Sequence, residues 1–386
     1  MVVVREVSAK NIFDSRKEKT IFISIKTNVG KFFASSPTGK SVGKYENPSY
    51  KKSLENDIDT TKKFKDYFSA DRIDDFYDLR RVEDIVEGHL GANTLFALES
   101  AILKALAKEK KKEIWQLINP NAKKFPRLVG NCIGGGKHSV TLNKKPDFQE
   151  FLIIPKTNNV KKGFEIIIKA KKEAYYFLKD KDKRFEGKKN DEDAWATNLN
   201  DKEVLEIIKN FNLPIGVDVA ASGFHKRNKY YYQNPKISRN SEEQFFYISN
   251  LINNFNLFYI EDPFNEDDFE LFSKLLKKFP DRLIVGDDLI VTNIKRFKRA
   301  IEQKCINAVI IKPNQCGSLL EVSEVCDLAK KNGIKIIFSH RSGETNETIL
   351  SDLAFGFGAD FFKCGITGKE REAKIKRLIE IEKNFR

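Results

Sequence analysis

The sequence is poor in the side chains that bind soft metals or form disulfides. It contains only four histidines and five cysteines in 386 residues. The cysteines are scattered without CxxC spacing, at Cys132, Cys305, Cys316, Cys326 and Cys364. Because zinc clusters need closely spaced ligands and disulfide frameworks are typical of small secreted domains, this pattern argues against both classes of site. We expect five reduced thiols in the core.

Long apolar runs are missing as well. No segment approaches the about 20 apolar residues of a membrane-spanning helix. The first residues, MVVVREVSAKNIF, lack the long apolar stretch and the small-residue cleavage site of a signal peptide. We therefore expect a cytoplasmic protein with no membrane partner.

The sequence does have enough apolar surface for a large core. Hydrophobic residues make up 40% of the chain and include 31 phenylalanines, a composition typical of globular proteins. The length of 386 residues allows two domains, or one large barrel with a smaller partner domain.

Positive charge exceeds negative charge. The 69 lysines and arginines against 55 acidic residues leave a net charge of +14, which favours anionic partners such as phosphorylated metabolites or nucleic acid. The densest runs, at 108–113 and 179–184, mix lysine with acids and lie at predicted helix ends. Such runs are typical of a solvated face rather than a nucleic-acid surface, and the sequence contains no nucleic-acid-binding module. We therefore do not expect nucleic acid as the main partner.

The N-terminal part shows a strands-then-helices pattern. Residues 2–36 contain extended segments, two of which are joined by the turn sequence Asn28-Val29-Gly30. Helical patterns follow, and turn residues at 119–126 are typical of a linker. We predict an α+β domain over residues 1–124, with a three-stranded meander and helices packed on it.

The clearest helical pattern of this domain begins after Asn93, which we predict to be its N-cap. Apolar residues then recur at helical spacing and form one face, with Leu95, Leu98, Ile102 and Leu106. This face is expected to pack against the sheet.

Residues 125–386 show a different pattern of short apolar runs. Eight of them are candidates for buried strands: RLVGNC (127–132), FLII (151–154), IGVD (215–218), LFYI (257–260), RLIV (282–285), AVII (308–311), KIIF (335–338) and DFFK (360–363). Eight is the strand number of a closed β/α barrel. The first two runs are separated without a helical pattern, and two helical segments precede the third. We therefore predict a barrel of the ββαα(βα)6 type.

Charged or titratable residues follow six consecutive strands of this predicted barrel. They are Asp218, Glu261, Asp287, Lys312, His340 and Lys363. A single acid at a strand end is usually a helix cap or a solvated loop residue. Six such groups at consecutive ends are hard to explain in that way, and loops at the carboxyl ends of barrel strands converge on one pocket. We therefore expect an active site there.

Asp218, Glu261 and Asp287 offer hard oxygen ligands, which favour Mg²⁺ over zinc or iron. Three carboxylates at one barrel mouth repel each other, so a divalent cation is their natural partner. Lys312 and Lys363 lie on the following strands. An amine near Mg²⁺ and a second cation can have its pKa lowered until it acts as a general base. The alternative for each lysine is a structural ion pair with the same acids.

The chain resembles one known family in ten stretches. They are DSR (14–16), PTGKSVGKYE (37–46), GANTLFALESAILKALA (91–107), GGKH (135–138), QEFLIIP (149–155), DVAAS (218–222), IEDPF (260–264), GDDLIVTN (286–293), KPNQCGSL (312–319) and SHRSGET (339–345). In this order they resemble enolase, the phosphopyruvate hydratase of glycolysis and gluconeogenesis, along nearly the whole chain. IEDPF, GDDLIVTN and SHRSGET are the most specific of them.

The resemblance implies a role for each matched residue. Asp218, Glu261 and Asp287 would hold a first Mg²⁺, and Ser41 would help to hold a second when substrate binds. Lys312 would remove the proton at carbon 2 of 2-phosphoglycerate, and Glu192 would protonate the departing hydroxyl at carbon 3 to give phosphoenolpyruvate. The residues expected around the substrate are His138, Gln149, Glu150, His340, Arg341, Ser342 and Lys363. Arg341 and Ser342 would contact its phosphate and Lys363 its carboxylate. The resemblance also implies a homodimer or a ring of dimers.

The sequence departs from the family pattern in its loops. Enolases usually have DEGG followed by an aromatic residue, whereas this chain has DEDAW at 191–195. A position that requires positive φ costs roughly 1 kcal/mol more without glycine. Asp193 could raise the pKa of Glu192, or it could repel the substrate phosphate if it faces inward.

Further departures from the enolase pattern lie in the other loops. Gly134 replaces the usual Asn, KHSV at 137–140 replaces SHAG, Lys40 replaces Ala, and DSRKEK at 14–19 replaces DSRGNP. Two functional classes therefore stay open. One is an active Mg²⁺-dependent enolase. The other is a non-catalytic enolase-like protein that acts as a binding or assembly partner, with its basic surface on RNA or another anion.

Overall fold

The computed structural model describes residues 1–40, 43–64, 72–139 and 144–385. The chain starts with an antiparallel three-stranded sheet of β1 (Val4–Phe13), β2 (Lys19–Thr27) and β3 (Gly30–Ser35). Gly30 begins β3 with a φ of 138°, which side-chain-bearing residues rarely adopt. The predicted meander and the position of its second turn are confirmed.

In the described part of the chain, helices follow this sheet: α1 (Leu54–Lys63), α2 (Leu79–Val86), α3 (Ala92–Lys110) and α4 (Ile114–Ile118). The predicted apolar face of α3 is present, because Leu98, Ile102 and Leu106 are fully buried. Helix α3 packs with this face against β2 and β3.

The prediction that Asn93 caps α3 was wrong. The helix starts after Gly91, whose amide donates to the buried carboxylate of Asp57 at 2.8 Å. Asn93 lies one residue inside the helix and is buried, and its Oδ1 accepts a hydrogen bond from Asn314 at 2.9 Å. The side chain of Asn93 therefore makes a long-range contact with the barrel. Capping propensity alone does not reveal such a contact.

The strands of the rest of the chain are, in order, β4 (Arg127–Gly134), β5 (Glu150–Ile153), β6 (Trp195–Ala196), β7 (Ile215–Asp218), β8 (His225–Lys226), β9 (Lys229–Gln233), β10 (Lys236–Arg239), β11 (Tyr259–Glu261), β12 (Leu283–Gly286), β13 (Ala308–Ile311), β14 (Lys335–Ser339) and β15 (Phe361–Lys363). Strands β8 to β10 form a small separate antiparallel sheet. The other strands belong to the barrel sheet, in which β6 is a two-residue addition beside β4.

The barrel closes where β15 pairs with β4. Strand β5 runs antiparallel to both of its neighbours, β4 and β7, and the strands from β7 to β15 that form the barrel are parallel to one another. All eight predicted runs contribute to these strands, and the ββαα opening is confirmed.

The helices of this part are α5 (Val160–Lys181), α6 (Asp201–Ile208), α7 (Ser241–Phe255), α8 (Phe269–Lys278), α9 (Ile294–Glu302), α10 (Pro313–Cys316), α11 (Leu319–Lys331), α12 (Ile349–Gly356) and α13 (Lys369–Phe385). Several begin after an asparagine whose side chain accepts a hydrogen bond from the first turn, as at Asn159, Asn200, Asn240 and Asn293. In the described residues, no helix is long and apolar enough to cross a membrane. The five cysteines are free and buried, as expected.

The strands alone build an apolar layer that is separate from the main core, and Tyr259, Val285, Ile310 and Phe361 belong to it. Successive strand residues point to opposite faces of a sheet, so the residue two positions later returns to the same face. Two positions after these four come Glu261, Asp287, Lys312 and Lys363. The alternation that fills the barrel thus also directs these charged side chains inward at its carboxyl end.

Replacement of Asp57 by asparagine tests how α1 and α3 are joined. Its carboxylate accepts hydrogen bonds from Lys51 N, Gly91 N and Thr94 Oγ1 at 2.9, 2.8 and 2.6 Å. An amide has one acceptor oxygen, so the variant leaves a buried donor unpaired. We expect urea unfolding to show a loss of about 1–3 kcal/mol. Asp59→Asn, at an exposed site of the same helix, should change stability by less than about 0.5 kcal/mol; equal losses would contradict this assignment.

Candidate active site

Lys363 lies at the centre of the carboxylates that end the barrel strands. Its Nζ is 2.8 Å from both carboxylate oxygens of Glu261, 3.1 Å from Asp218 Oδ2 and 3.2 Å from Glu150 Oε1. All four side chains are almost fully buried. Burial lowers the pKa of Lys363, but the three carboxylates outweigh it and raise that pKa well above its usual value. Lys363 is therefore a firmly protonated cation in this structure.

Lys312 forms a second ion pair, with Asp287 Oδ2. Burial opposes the charge of Lys312, yet Asp287 raises its pKa, while Lys312 in turn holds the pKa of Asp287 below its usual value. Both lysines are thus paired with acids of the site, and the pKa of each lysine is raised. The lowered lysine pKa that a general base needs is not present in this arrangement.

Some carboxylate oxygens of the site are still available as ligands for a hard cation. Asp287 Oδ1 and Glu150 Oε2 are buried and have no hydrogen-bond partner. Burial, together with the charge of Asp218, raises the pKa of Glu261 to about 8. A buried carboxylate oxygen without a partner and a carboxyl group whose pKa is raised by burial are both stabilised by a divalent cation. The residues present therefore fit such an ion.

The acidic groups cluster in a way that the sequence did not predict. Among the described residues, two sets of three side chains bring ligand atoms within 4.8 Å of one another: His138, Glu150 and Glu192, and Asp262, Asp287 and Asp288. The predicted trio of Asp218, Glu261 and Asp287 is not one of these sets, and Lys363 binds both Asp218 and Glu261. Asp262 and Asp288 were missed, although each adjoins a predicted ligand in IEDPF and GDDL.

Glu192 lies in the same pocket, on the loop before β6, and is 4% exposed. Its Oε2 accepts a hydrogen bond from Asn131 at 2.9 Å, and its Oε1 is 3.7 Å from His138 Nε2 and 3.9 Å from His340 Nε2. Burial raises its pKa, but nearby positive charge, first that of His138, outweighs burial, so the pKa of Glu192 is lowered. This direction is opposite to the one that Asp193 was expected to cause.

Asp193 faces away from Glu192. Its carboxylate is bound by Lys171 at 3.1 Å, by Lys189 at 3.0 Å and by the hydroxyl of Thr367. It is therefore neutralised by lysines outside the cavity and does not oppose a substrate anion there. Its φ is 63°, so this position of the loop does require the left-handed backbone that glycine adopts without strain.

The residues expected to contact phosphate are engaged by other side chains of the protein. The guanidinium of Arg341 binds both carboxylate oxygens of Glu46, at 3.1 and 3.0 Å. Ser342 Oγ accepts hydrogen bonds from the Lys40 amide at 2.8 Å and from Arg16 Nη1 at 3.3 Å. Segments of the N-terminal domain thus cover this side of the barrel mouth.

Most of the predicted site residues line one cavity of about 30 Å³, whereas Glu261 and Asp287 are not part of its described lining. Its described lining comprises Gly39, Lys40, His138, Gln149, Glu150, Glu192, Asp218, Lys312, Ser339, His340, Arg341, Ser342 and Lys363. Gln149 also donates to Asp218 Oδ2 at 3.3 Å. Ser41, the predicted ligand of a second Mg²⁺, lies outside the described residues.

Comparison with known proteins identifies the family. Residues 122–386 match the family model described as "Enolase, C-terminal TIM barrel domain". The chain is 35% identical to the enolase of Methanosphaera stadtmanae, over 99% of this chain and 97% of the relative. It is 33% identical to the enolase of Natronomonas pharaonis, over 100% of both chains. It is 41% identical to the enolase of Pyrobaculum aerophilum, over 67% of this chain and 64% of the relative.

The chain belongs to the enolase family. The resemblance drawn from its motifs is thereby confirmed, and membership makes it a lyase. The family also implies a divalent metal, in agreement with the buried acidic groups at the barrel mouth.

Two departures from the enolase pattern occupy left-handed positions. Lys17, where DSRGNP has glycine, and Asp193, where DEGG has glycine, both have a φ of 63°. Lys40, where enolases usually have alanine, brings its ammonium within 2.9 Å of Asp191 Oδ2. Asp191 is also 2.6 Å from His138 Nδ1. The altered loops of this enolase are therefore joined to each other by new polar contacts.

Arg371 is a site residue that sequence reasoning missed. It is 2% exposed, and its Nη2 donates to the carbonyls of Asp191 at 3.2 Å and of Ser342 at 3.0 Å. It thus ties the loop that carries Glu192 to the SHRSGET loop. No strand-end pattern marks it, because it lies in α13, far along the chain.

We predict that Arg371→Lys destabilises this enolase. A lysine side chain ends one bond short of the Nη2 position, so its ammonium does not reach both carbonyls and at least one buried carbonyl loses its partner. The free energy of unfolding should fall by about 1–3 kcal/mol, measured by denaturant titration. Arg81→Lys is the matched control, since the Arg81 side chain is 52% exposed and pairs with Asp78 on the surface. A loss no larger than that of the control would refute the bridging role.

Proposed function

We propose that this enolase catalyses the reversible dehydration of 2-phosphoglycerate to phosphoenolpyruvate in glycolysis and gluconeogenesis, with Mg²⁺ as cofactor. The observation that carries the proposal is the shared cavity: a carboxylic acid, Glu192, and an amine, Lys312, line it together with Arg341 and Lys363. Removal of a carbon-bound proton and loss of a hydroxide need a base and an acid at one substrate. The cavity supplies both groups.

The metal would be held by the acids at the strand ends. Two Mg²⁺ ions, the first on Asp218, Glu261 and Asp287 and the second recruited with Ser41 when substrate binds, would stabilise the negative charge that builds up on the substrate carboxylate. A proton next to a carboxylate is very weakly acidic, because its removal adds charge to a group that is already anionic. Enolase-type sites with a Lys or His base and one or two Mg²⁺ are an established pattern.

Lys312 is proposed to take the proton from carbon 2 at its Nζ. For that it must be neutral, whereas its pair with Asp287 keeps its pKa raised in this structure. When Asp287 engages another cation, the pair weakens and the pKa of Lys312 falls toward the range of a base. The observed ion pair is therefore compatible with the proposed role only if Asp287 is also a metal ligand.

Glu192 is proposed to protonate the departing hydroxyl at carbon 3. Its lowered pKa reflects positive charge around it, first that of His138. An anionic substrate brought into the same cavity counteracts that charge and raises the pKa of Glu192. Burial of the carboxyl, at 4% exposure, acts in the same direction.

The remaining residues would hold the substrate. We assign its phosphate to Arg341 and Ser342 and its carboxylate to Lys363, with further contacts from His138, Gln149, Glu150 and His340. A guanidinium suits two phosphate oxygens. Arg341 binds Glu46 in this structure, so the phosphate would have to replace that carboxylate as the substrate enters.

The proposal also includes three expectations about the whole protein, which concern its domains, its oligomeric state and its location. We divide the chain into a capping domain, 1–124, and a catalytic barrel, 125–386. We expect a homodimer or a ring of dimers, and a cytoplasmic location. The comparisons do not favour the alternative of a non-catalytic binding or assembly partner, since all three relatives described above are themselves named enolase.

The decisive experiment is a direct assay of phosphoenolpyruvate formation from 2-phosphoglycerate, with and without Mg²⁺. Turnover that requires Mg²⁺ supports the proposal. Absence of turnover at saturating Mg²⁺, in protein shown to be folded, overturns it. If such protein also binds RNA with a strong salt dependence, the binding-partner alternative takes its place.

We expect Lys312→Ala and Glu192→Gln to lose different half-reactions. The first variant should lose proton exchange at carbon 2, and the second should lose elimination. Lys312→Ala should lose exchange of the carbon-2 proton with solvent by about 100-fold or more, since no other base is assigned to that proton. Glu192→Gln should keep measurable exchange and lose elimination. Proton exchange followed by nuclear magnetic resonance in heavy water, beside the product assay, separates the two. Equal loss of both activities in both variants is incompatible with the assigned roles.

Asp287→Asn should weaken Mg²⁺ binding about tenfold or more, because a neutral amide replaces a charged oxygen ligand. Isothermal titration calorimetry of the metal alone measures this directly. Asp281→Asn is the matched control, since the Asp281 side chain is 70% exposed, on the turn before β12. Unchanged affinity in Asp287→Asn would remove this residue from the ligand set.

A further inference from the structure

The loop that carries Glu192 is fastened to the barrel wall by three side chains, which we call the 193 clamp: Lys171, Asp193 and Thr367. Lys171 Nζ is 3.1 Å from Asp193 Oδ2 and also donates to the Asp193 carbonyl and to the Thr367 hydroxyl. Thr367 donates to the same carboxylate. Lys171 lies in α5 and is 4% exposed, so the clamp connects the loop to a rigid helix in a mostly buried position.

Asp193 stands where the enolase pattern has glycine, at a φ of 63°. A non-glycine residue in this region carries backbone strain that glycine avoids. Removal of one partner of a buried ion pair is costly, and the pair itself is favourable only when its remaining hydrogen bonds are satisfied. The clamp supplies these hydrogen bonds through Thr367 and the Asp193 carbonyl. The substitution that introduces strain therefore also introduces the contacts that hold the strained turn in place.

A second departure from the pattern acts on the same loop. Asn190 Oδ1 accepts hydrogen bonds from the amides of Glu192 and Ala194, at 3.0 and 2.9 Å. A Cβ atom at Gly134 would lie 2.1 Å from Asn190 Nδ2, so the usual asparagine at 134 is incompatible with this arrangement. Gly134 makes the space that Asn190 uses to brace the loop.

The carboxylate of Glu192 needs such support. Its Oε2 accepts a hydrogen bond from Asn131, and the imidazoles of His138 and His340 lie at 3.7 and 3.9 Å from its Oε1, beyond direct hydrogen bonding. Its position therefore also depends on the loop backbone, and the next residue along that backbone is Asp193. Displacement of a catalytic group by about 1 Å can cost about 100-fold in rate.

We propose that the 193 clamp positions Glu192 for proton donation, so that Asp193 and Lys171 are positioning residues for the acid step in this chain. The inference rests on the proposed function, because it assumes that Glu192 is the acid. It assigns to Asp193 a role that glycine in the same place cannot have.

The test compares Asp193→Gly with Lys171→Met and Lys189→Met. Glycine adopts the observed φ without strain, so Asp193→Gly should fold while lacking the clamp. We expect elimination to fall about 10-fold to 100-fold in Asp193→Gly and Lys171→Met, with exchange of the carbon-2 proton within about twofold of wild type. The KM for 2-phosphoglycerate should change little. Lys189→Met is the matched control, since Lys189 binds the same carboxylate but its side chain is 41% exposed, and it should retain the wild-type ratio of elimination to exchange.

A readout independent of catalysis accompanies these rates. Deuterium uptake measured by mass spectrometry over residues 188–196 should rise in Asp193→Gly and Lys171→Met and stay unchanged in Lys189→Met. If Asp193→Gly keeps both the wild-type ratio and the wild-type uptake, the clamp proposal is overturned. If both half-reactions fall equally, the role is only structural and the proposal also fails. If wild-type protein performs neither half-reaction, the proposed function fails, and uptake alone then decides whether the clamp holds the loop.

Discussion

Neutralisation of buried carboxylates at the barrel mouth is the constraint on which the rest of this structure depends. Eight strands that converge on one axis bring Glu150, Asp218 and Glu261 within 3.2 Å of a single lysine nitrogen. Charges taken out of water are costly unless they are paired. The barrel geometry prevents the acids from moving apart, so cations have to meet them. Lys363 and Lys312 are the cations that the chain itself provides.

The same constraint links stability with the proposed chemistry. An ammonium held between carboxylates has a raised pKa and is a poor base, as Lys312 shows beside Asp287. Activity as proposed requires these pairs to be exchanged for contacts with metal and substrate. The charges that make the closed site stable are thus the charges that the reaction would use.

The loops show how a family site tolerates substitution. Asp218, Glu261, Asp287 and Lys312 lie at strand ends, whose positions follow from the sheet, and all four have the residue type of the enolase motifs that they match. Lys17 and Asp193 stand where the enolase motifs have glycine, and both have a left-handed backbone. The carboxylate of Asp193 binds two lysines and the hydroxyl of Thr367 outside the cavity. Divergence here altered what holds the Glu192 loop in place, and it placed Lys40 in the cavity lining.

Local sequence was sufficient for the features that depend on periodicity and on charge type. Short apolar runs predicted the eight strands, and a two-residue period explains why Glu261, Asp287, Lys312 and Lys363 face inward, since neighbouring side chains alternate across a sheet. The sequence motifs were sufficient to predict the family. Only the tertiary structure decided the partners: that Asn93 binds Asn314 instead of capping α3, that Asp193 faces Lys171, and that Lys363 binds both Asp218 and Glu261. These contacts join residues from 22 to more than 200 positions apart, and short-range periodicity carries no information about such distances.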